Sequence, residues 1–115
     1  MKHYETIHTE DTQGFHIVCS VGYEDTHPSD LYDDSCHDIE EICRKIDNGT
    51  YVWFIARVEA YRHGVLLASD YLGGCLYDNY KQFLEDAYYE DMVSNVVSQA
   101  NATLKKLFQP ETEEV

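Results

Sequence analysis

"YVWFIARVEAYRHGVLLASDYL", residues 51–72, reads as two antiparallel strands about a two-residue turn. Apolar residues alternate through Phe54, Ala56, Val58 and Ala60, the period-2 pattern of a strand with one buried face. His63-Gly64 interrupts the run with a glycine able to supply the positive φ that tight hairpins need. Counting outward from that turn pairs Arg62 with Val65 and sets Arg57 opposite Asp70, an opposite-charge pair across the strands. Phe54, Ala56, Val58 and Ala60 then share a face with Leu67 and Tyr71. Arg57, Glu59, Tyr61 and Asp70 form a wetter face.

Upstream, "GFHIVCSVGYE" (14–24) alternates in the same way, pointing Phe15, Ile17, Cys19, Val21 and Tyr23 to one side. "HYETIHT" (3–9) makes a weaker strand before it, joined through "EDTQG" (10–14), where Gly14 can turn the chain. Between the hairpins, Ser35 with Asp38 three residues later resembles a capping box. The helix that follows carries Ile39, Ile42, Cys43 and Ile46 on one stripe and stops at Asn48-Gly49. Downstream, Gly73-Gly74 in "SDYLGGCLY" (69–77) is expected to end the fourth strand. A short helix around "NYKQFLED" (79–86) leads into a longer one bearing Tyr89, Met92, Val93, Val96, Val97, Ala100, Leu104 and Leu107 at spacings of three and four. The order β-β-α-β-β-α-α predicts an α+β fold, a mainly antiparallel sheet of about four strands with two or three helices on one face. Residues 1–108 are expected to form one domain, with 109–115 a flexible acidic tail, and Ile42, Val58, Val93 and Val97 to be buried together.

The chain of 115 residues carries 22 acids against 8 bases, a net charge of −14. Such a surface repels nucleic acid and anionic membranes, which excludes both as direct partners. With 43% hydrophobic residues and ten tyrosines the chain can still build a core. "MKHYETIHTE" lacks the apolar stretch of a secretory signal, and no apolar run is long enough to span a bilayer, so the expected location is cytoplasmic. Four cysteines would there stay reduced.

The charge is concentrated. "EDTHPSDLYDDSCHDIEE" (24–41) holds eight carboxylates and no Lys or Arg. Part of this is helix chemistry, because acids in a first turn suit the positive end of the helix dipole. The remainder suggests an array, continued by Asp78, Glu85, Asp86, Glu90 and Asp91 around the later helices. Asp30, Asp33, Asp34, Asp38, Glu41, Glu85, Asp86, Glu90 and Asp91, with Tyr32, are therefore the candidate partner-binding residues: carboxylates steer a basic partner and tyrosine anchors it. Chemistry of other kinds finds little footing. Cys36, His37 and Cys43 could approach a metal, but His37 lies about 100° around the helix from Cys36 and no C-x-x-C or H-x-x-x-H occurs. "DLYDDSCHDIEE" lacks the alternate oxygens and central glycine of a calcium loop. No nucleophile elbow, phosphate loop or zincin motif appears, so no catalytic residue, metal or cofactor is assigned.

"DYLGGCLY" (70–77), with the hydrophobic hairpin before it and "YYEDM" (88–92) after it, resembles small uncharacterised proteins carried by bacteriophages and other mobile elements, over about residues 36–108. The resemblance implies an origin and transfers no role or site residue. Small acidic proteins of such origin include anti-restriction and anti-CRISPR inhibitors, some of which mimic DNA charge. That step is an analogy of size, charge and origin. The resulting expectation is an acidic, non-enzymatic interaction protein that binds a basic, nucleic-acid-binding host defence component. A small Cys/His enzyme or metal protein, and an acidic domain whose charge only keeps it soluble, are the alternatives.

Overall fold

Both hairpins close on the same device. Gln13 (φ 52°) and Gly14 (φ 87°) form one turn, and His63 (φ 53°) and Gly64 (φ 79°) the other. Two successive positive-φ residues match the right-handed twist of the strands they join. In the computed structural model, which describes residues 3–32 and 38–108, these turns connect β1 (Tyr4–Thr12) to β2 (Phe15–Tyr23) and β3 (Val52–Arg62) to β4 (Val65–Tyr77). A 3₁₀ turn (Pro28–Asp30) and α1 (Ile39–Asp47) lie between the hairpins, and α2 (Tyr80–Leu84) and α3 (Ala87–Leu107) follow. The strands form one antiparallel sheet in the order β1-β2-β3-β4. The fold is α+β with the expected element order. The first strand is longer than its sequence pattern suggested, running to Thr12 so that only two residues remain for the turn.

One face of the sheet carries the core. Phe15, Ile17, Cys19 and Val21 from β2 and Phe54, Ala56, Val58 and Ala60 from β3 are all buried against Tyr89, Met92, Val96, Val97 and Ala100 of α3 and Phe83 of α2. Val93 and Leu104 pack partly against them. Two apolar positions fall outside this cover. Tyr23, expected inward, is 73% exposed at the last position of β2, and Leu107 is 66% exposed at the last position of α3.

The hairpin register differs from the simple count. Arg62 faces Val65 and Tyr61 faces Leu66, but Ala60 then faces Ala68, leaving Leu67 as an extra residue in β4. Such a bulge slips every later pair by one and turns each β4 side chain to the other face. Asp70 consequently sits opposite Val58, on the helix side, where its Oδ2 accepts a hydrogen bond from Asn95 Nδ2 of α3 at 3.2 Å. Arg57 faces Tyr71 instead. The Arg57–Asp70 pair does not form, and Tyr71 lies on the open face, 56% exposed.

Gly73-Gly74 does not end β4. Ala56 faces Leu72 and Phe54 faces Cys75, so the two glycines bulge opposite Ile55 and the strand runs on to Tyr77. Gly74 adopts φ +64°, a left-handed conformation that glycine adopts without a Cβ penalty. The carboxylate of Glu24, only 6% exposed, caps the bulge: its Oε1 accepts from Gly74 N at 2.6 Å and its Oε2 from Thr26 N at 3.1 Å. Trp53 Nε1 donates to Thr26 O at 2.9 Å and closes the same corner.

α1 differs from expectation at its start and in its packing. Asp38 is the N-cap, its Oδ1 accepting from Glu41 N at 3.1 Å, in the role proposed for Ser35; Ser35 lies outside the described residues. Asn48 caps the other end, with Gly49 beyond it at φ +83°. The helix packs chiefly on the 3₁₀ turn, and Ile42 is half-buried outside the main core, apart from Val58, Val93 and Val97. Its stripe is short, and the covered face of the sheet is filled by α2 and α3. Residues 109–115, expected to be a tail, lie outside the described residues.

Candidate functional site: a tyrosine-lined acidic cleft

The Gly73-Gly74 bulge and the end of β4 line a cleft of about 720 Å³. Its floor is Leu72 to Tyr77 of β4, one wall is the α2–α3 junction with Gln82, Glu85, Asp86 and Tyr88, and Tyr32 closes the far side. Three tyrosines and two carboxylates thus border one opening, and no Lys or Arg is among its lining residues.

Each wall has a local cause. Asn79 caps α2, accepting from Gln82 N at 2.8 Å, and the buried ring of Phe83 pins that short helix to Phe54, Tyr77 and Tyr89. Asp86 caps α3 through Ala87 N at 2.6 Å, and its other oxygen accepts from the Tyr77 hydroxyl at 2.7 Å. Burial, followed by this bond to Asp86, pushes the Tyr77 phenol well above its ordinary range. It therefore stays protonated as a donor across the physiological range. Burial also raises Tyr32, whose ring lies 6.0 Å from that of Trp53. Glu85 and Tyr88 are exposed at the rim.

Of the sequence-derived partner-binding residues, Tyr32, Glu85 and Asp86 meet in this cleft. Glu90 is exposed one turn further along α3 from Asp86, with Asp91 beside it. Asp30 is exposed on the 3₁₀ turn. Asp38 lines a separate cleft with His27, Ser29, Tyr32, Ile39, Glu40 and Cys43, so Tyr32 is the wall the two clefts share. Glu41 is partly offset by local cations, since its carboxylate pairs with Arg44 and lies 3.7 Å from Lys45 Nζ. Asp33 and Asp34 lie outside the described residues, as do Cys36 and His37. The glycine pair, which shapes the opening, carried a sequence signal only as a strand end, and Tyr77 and Tyr88 only as two of several tyrosines among the acids.

A Cys–His contact does arise, on His27 rather than His37. Cys43 Sγ lies 3.6 Å from His27 Nε2, while His27 Nδ1 accepts from Ser29 N at 3.2 Å and stands 2.9 Å from Ser29 Oγ. A backbone N–H aimed at Nδ1 places the imidazole proton on Nε2, facing the sulfur. In that tautomer the ring donates to Cys43 and has no lone pair there to take its proton, which is the wrong arrangement for a thiol-activating base. Among the described residues no group of three or more His, Cys, Asp or Glu is disposed to hold a metal ion. No helix among them is long and apolar enough to cross a membrane.

The other two described thiols, Cys19 and Cys75, are buried. Burial pushes Cys19 up to about 12 and Cys75 up to about 11. Iodoacetamide at pH 8 should leave both unmodified in the folded protein while labelling Cys43, as read by peptide mass mapping; alkylation of Cys19 before unfolding would contradict the packing. The tyrosines add an alkaline limit. Tyr77 and Tyr89, the latter buried and donating to Glu10 Oε1 at 2.7 Å, are raised above the ordinary 10.0, as the two thiols are above 9.0. Groups whose pKa is raised by folding contribute stability below their unfolded values and lose it as pH rises through the folded ones. The melting temperature is therefore expected to fall progressively above about pH 9, and a profile flat to pH 11 would refute that linkage.

No protein-family model matches the chain, and no curated protein or solved structure is significantly similar to it.

Proposed function

We propose that this protein is a small acidic interaction protein that binds a basic, nucleic-acid-binding protein and blocks its access to nucleic acid. The observation that carries this reading is the cleft in which Tyr32, Tyr77 and Tyr88 stand beside Glu85 and Asp86 with no cationic lining, on a chain of charge −14. Carboxylates on capped helices are held in place, so they can steer a basic surface from a distance, and tyrosine rings supply the desolvated contact once it arrives. By analogy with small acidic proteins of phage origin, the partner class is a nucleic-acid-binding host defence component, and the charge substitutes for that of DNA.

The test has two stages. Capture from a bacterial lysate at low salt, released at high salt, supplies a basic partner. The purified partner is then titrated with the acidic protein in the presence of labelled duplex DNA, where stoichiometric release of the duplex is the expected result. Retention of the duplex at saturating acidic protein contradicts the proposal. Changing Glu85, Glu90 and Asp91 together to Gln, Gln and Asn leaves every cap in place. It should slow association roughly tenfold or more at low salt and flatten its salt dependence. Association at the wild-type rate across the salt series would reduce the carboxylates to solvated surface.

A further inference from the structure

α2 and α3 cover one face of the sheet, α1 lies beside its Trp53 end, and the opposite face differs from the rest of the molecule. Following the pairing, it carries Tyr4 and Thr6 from β1, Val18 and Ser20 from β2, Ile55, Arg57, Glu59 and Tyr61 from β3, and Leu66, Ser69 and Tyr71 from β4. Neither α2 nor α3 packs on it; at its Trp53 end it is met by Thr26 and Tyr32. Its charges are few: Arg57 Nε stands 3.4 Å from Glu59 Oε1, and Asp11 Oδ1 lies 2.8 Å from His16 Nδ1 beside the first turn. The Arg57 guanidinium lies over the Tyr4 ring at 4.2 Å, and Tyr4 in turn meets Tyr71 edge-on at 6.3 Å. Tyr71 is 56% exposed and Leu66 46%. A near-neutral sheet face with exposed Tyr and Leu is thus carried by a chain of net charge −14.

We infer that this open sheet face is the contact between two copies of the chain, packed sheet to sheet about a two-fold axis. The charge distribution selects the occupant. A second copy brings another −14, so it approaches where acids are fewest, and the described residues of this face carry Glu59 beside Arg57 and Asp11 beside His16. Face-to-face packing places the sheets about 10 Å apart and the acid-bearing helix layers outside both. Each helix layer adds roughly another 10 Å, so Glu85, Glu90 and Asp91 of the two copies are separated by more than two Debye lengths at physiological salt, about 8 Å each. The area suffices. Strands of nine residues in a four-stranded sheet present roughly 30 Å by 19 Å, about 570 Å² of flat footprint per copy before side-chain relief. Two such faces clear the roughly 1,000 Å² total that a specific interface requires. Tyrosine is favoured at such contacts because one end of the ring is apolar and the other still forms hydrogen bonds.

This contact leaves the acidic cleft open on each copy, and the two respond oppositely to salt: binding of a basic partner weakens, whereas association of two acidic copies strengthens as their residual repulsion is screened. Sedimentation of the full chain at rising concentration should show a species of twice 13.4 kDa, favoured by added salt. Tyr71→Lys and Leu66→Lys, made separately at exposed positions, should each weaken self-association at least tenfold. Hydroxyl-radical footprinting of the unaltered protein gives a readout that does not depend on the variants folding, with Tyr71 and Tyr4 expected to lose oxidation as concentration rises while Tyr88 keeps it. A chain that stays monomeric at high concentration and high salt overturns the inference. So does a dimer in which both variants associate normally, or one in which Tyr71 remains as oxidisable as in the monomer.

Discussion

Phe83→Ala should lower the free energy of unfolding by about 3–5 kcal/mol, the range for truncating a fully buried aromatic ring. Phe83 is completely buried, with Phe54 at 5.5 Å and Tyr77 at 5.4 Å between ring centroids and Tyr89 at 6.0 Å. The substitution removes the common contact of three rings, and the edge-to-face geometry adds to the area term. α2 is only five residues long and Phe83 is its one fully buried side chain, with Tyr80, edge-on to Phe54 at 5.1 Å, and Leu84 packing only partly against the core. The denaturant midpoint should fall with little change in slope. The cleft wall formed by Gln82 and Glu85 should loosen with it, seen as faster amide exchange over residues 80–86. A loss below about 1 kcal/mol would mean that the aromatic cluster does not exist as described.

Glu24→Ala should be nearly as damaging, at about 2–5 kcal/mol, although it removes no hydrophobic contact. The carboxylate satisfies two backbone N–H groups, those of Gly74 and Thr26, in a corner from which water is largely excluded. Leaving a buried donor without an acceptor costs about 1–3 kcal/mol each. Glu24→Gln keeps both side-chain atoms but turns one acceptor into a donor, so it should recover about half of the loss. Gly74→Ala attacks the same joint from the other side. A Cβ there would meet Leu31 Cδ1 at 2.6 Å in a backbone conformation, φ +64°, that a side chain disfavours. Because the two changes break one contact, the double variant should be less than additive. Additive losses would show that the carboxylate and the bulge are independent. Both changes should also disturb Tyr32 and the cleft, since Glu24 ties the 24–32 segment to β4.

The acid-rich stretch illustrates what local pattern can and cannot say. Its eight carboxylates are plain in the sequence, but they have different roles. Glu24 is a buried capping group, Asp38 holds the start of α1, and Glu41 pairs with Arg44 and Lys45. A run of one charge therefore overstates the free charge, because backbone N–H groups and helix neighbours take up part of it. Tyr32, Glu85 and Asp86 could be chosen as a tyrosine and acids of one charge pattern, yet their meeting across more than fifty residues is made by the tertiary fold.

What the sequence determined by itself was everything whose cause lies within a few residues. The two X-Gly turns, the alternation of β2 and β3, the stop at Asn48-Gly49 and the stripe of α3 follow from backbone sterics and side-chain period, and they set the order β-β-α-β-β-α-α. The tertiary structure decided the rest. Leu67 bulges and moves Asp70 to the helix side, where Asn95 receives it. Gly73-Gly74 continues a strand instead of ending it, because Glu24, fifty residues away, supplies the acceptor that the bulged backbone needs. α1 stays off the core, whose sheet face is occupied by α2 and α3. In each case the deciding partner is distant in sequence, so no local period can carry the information.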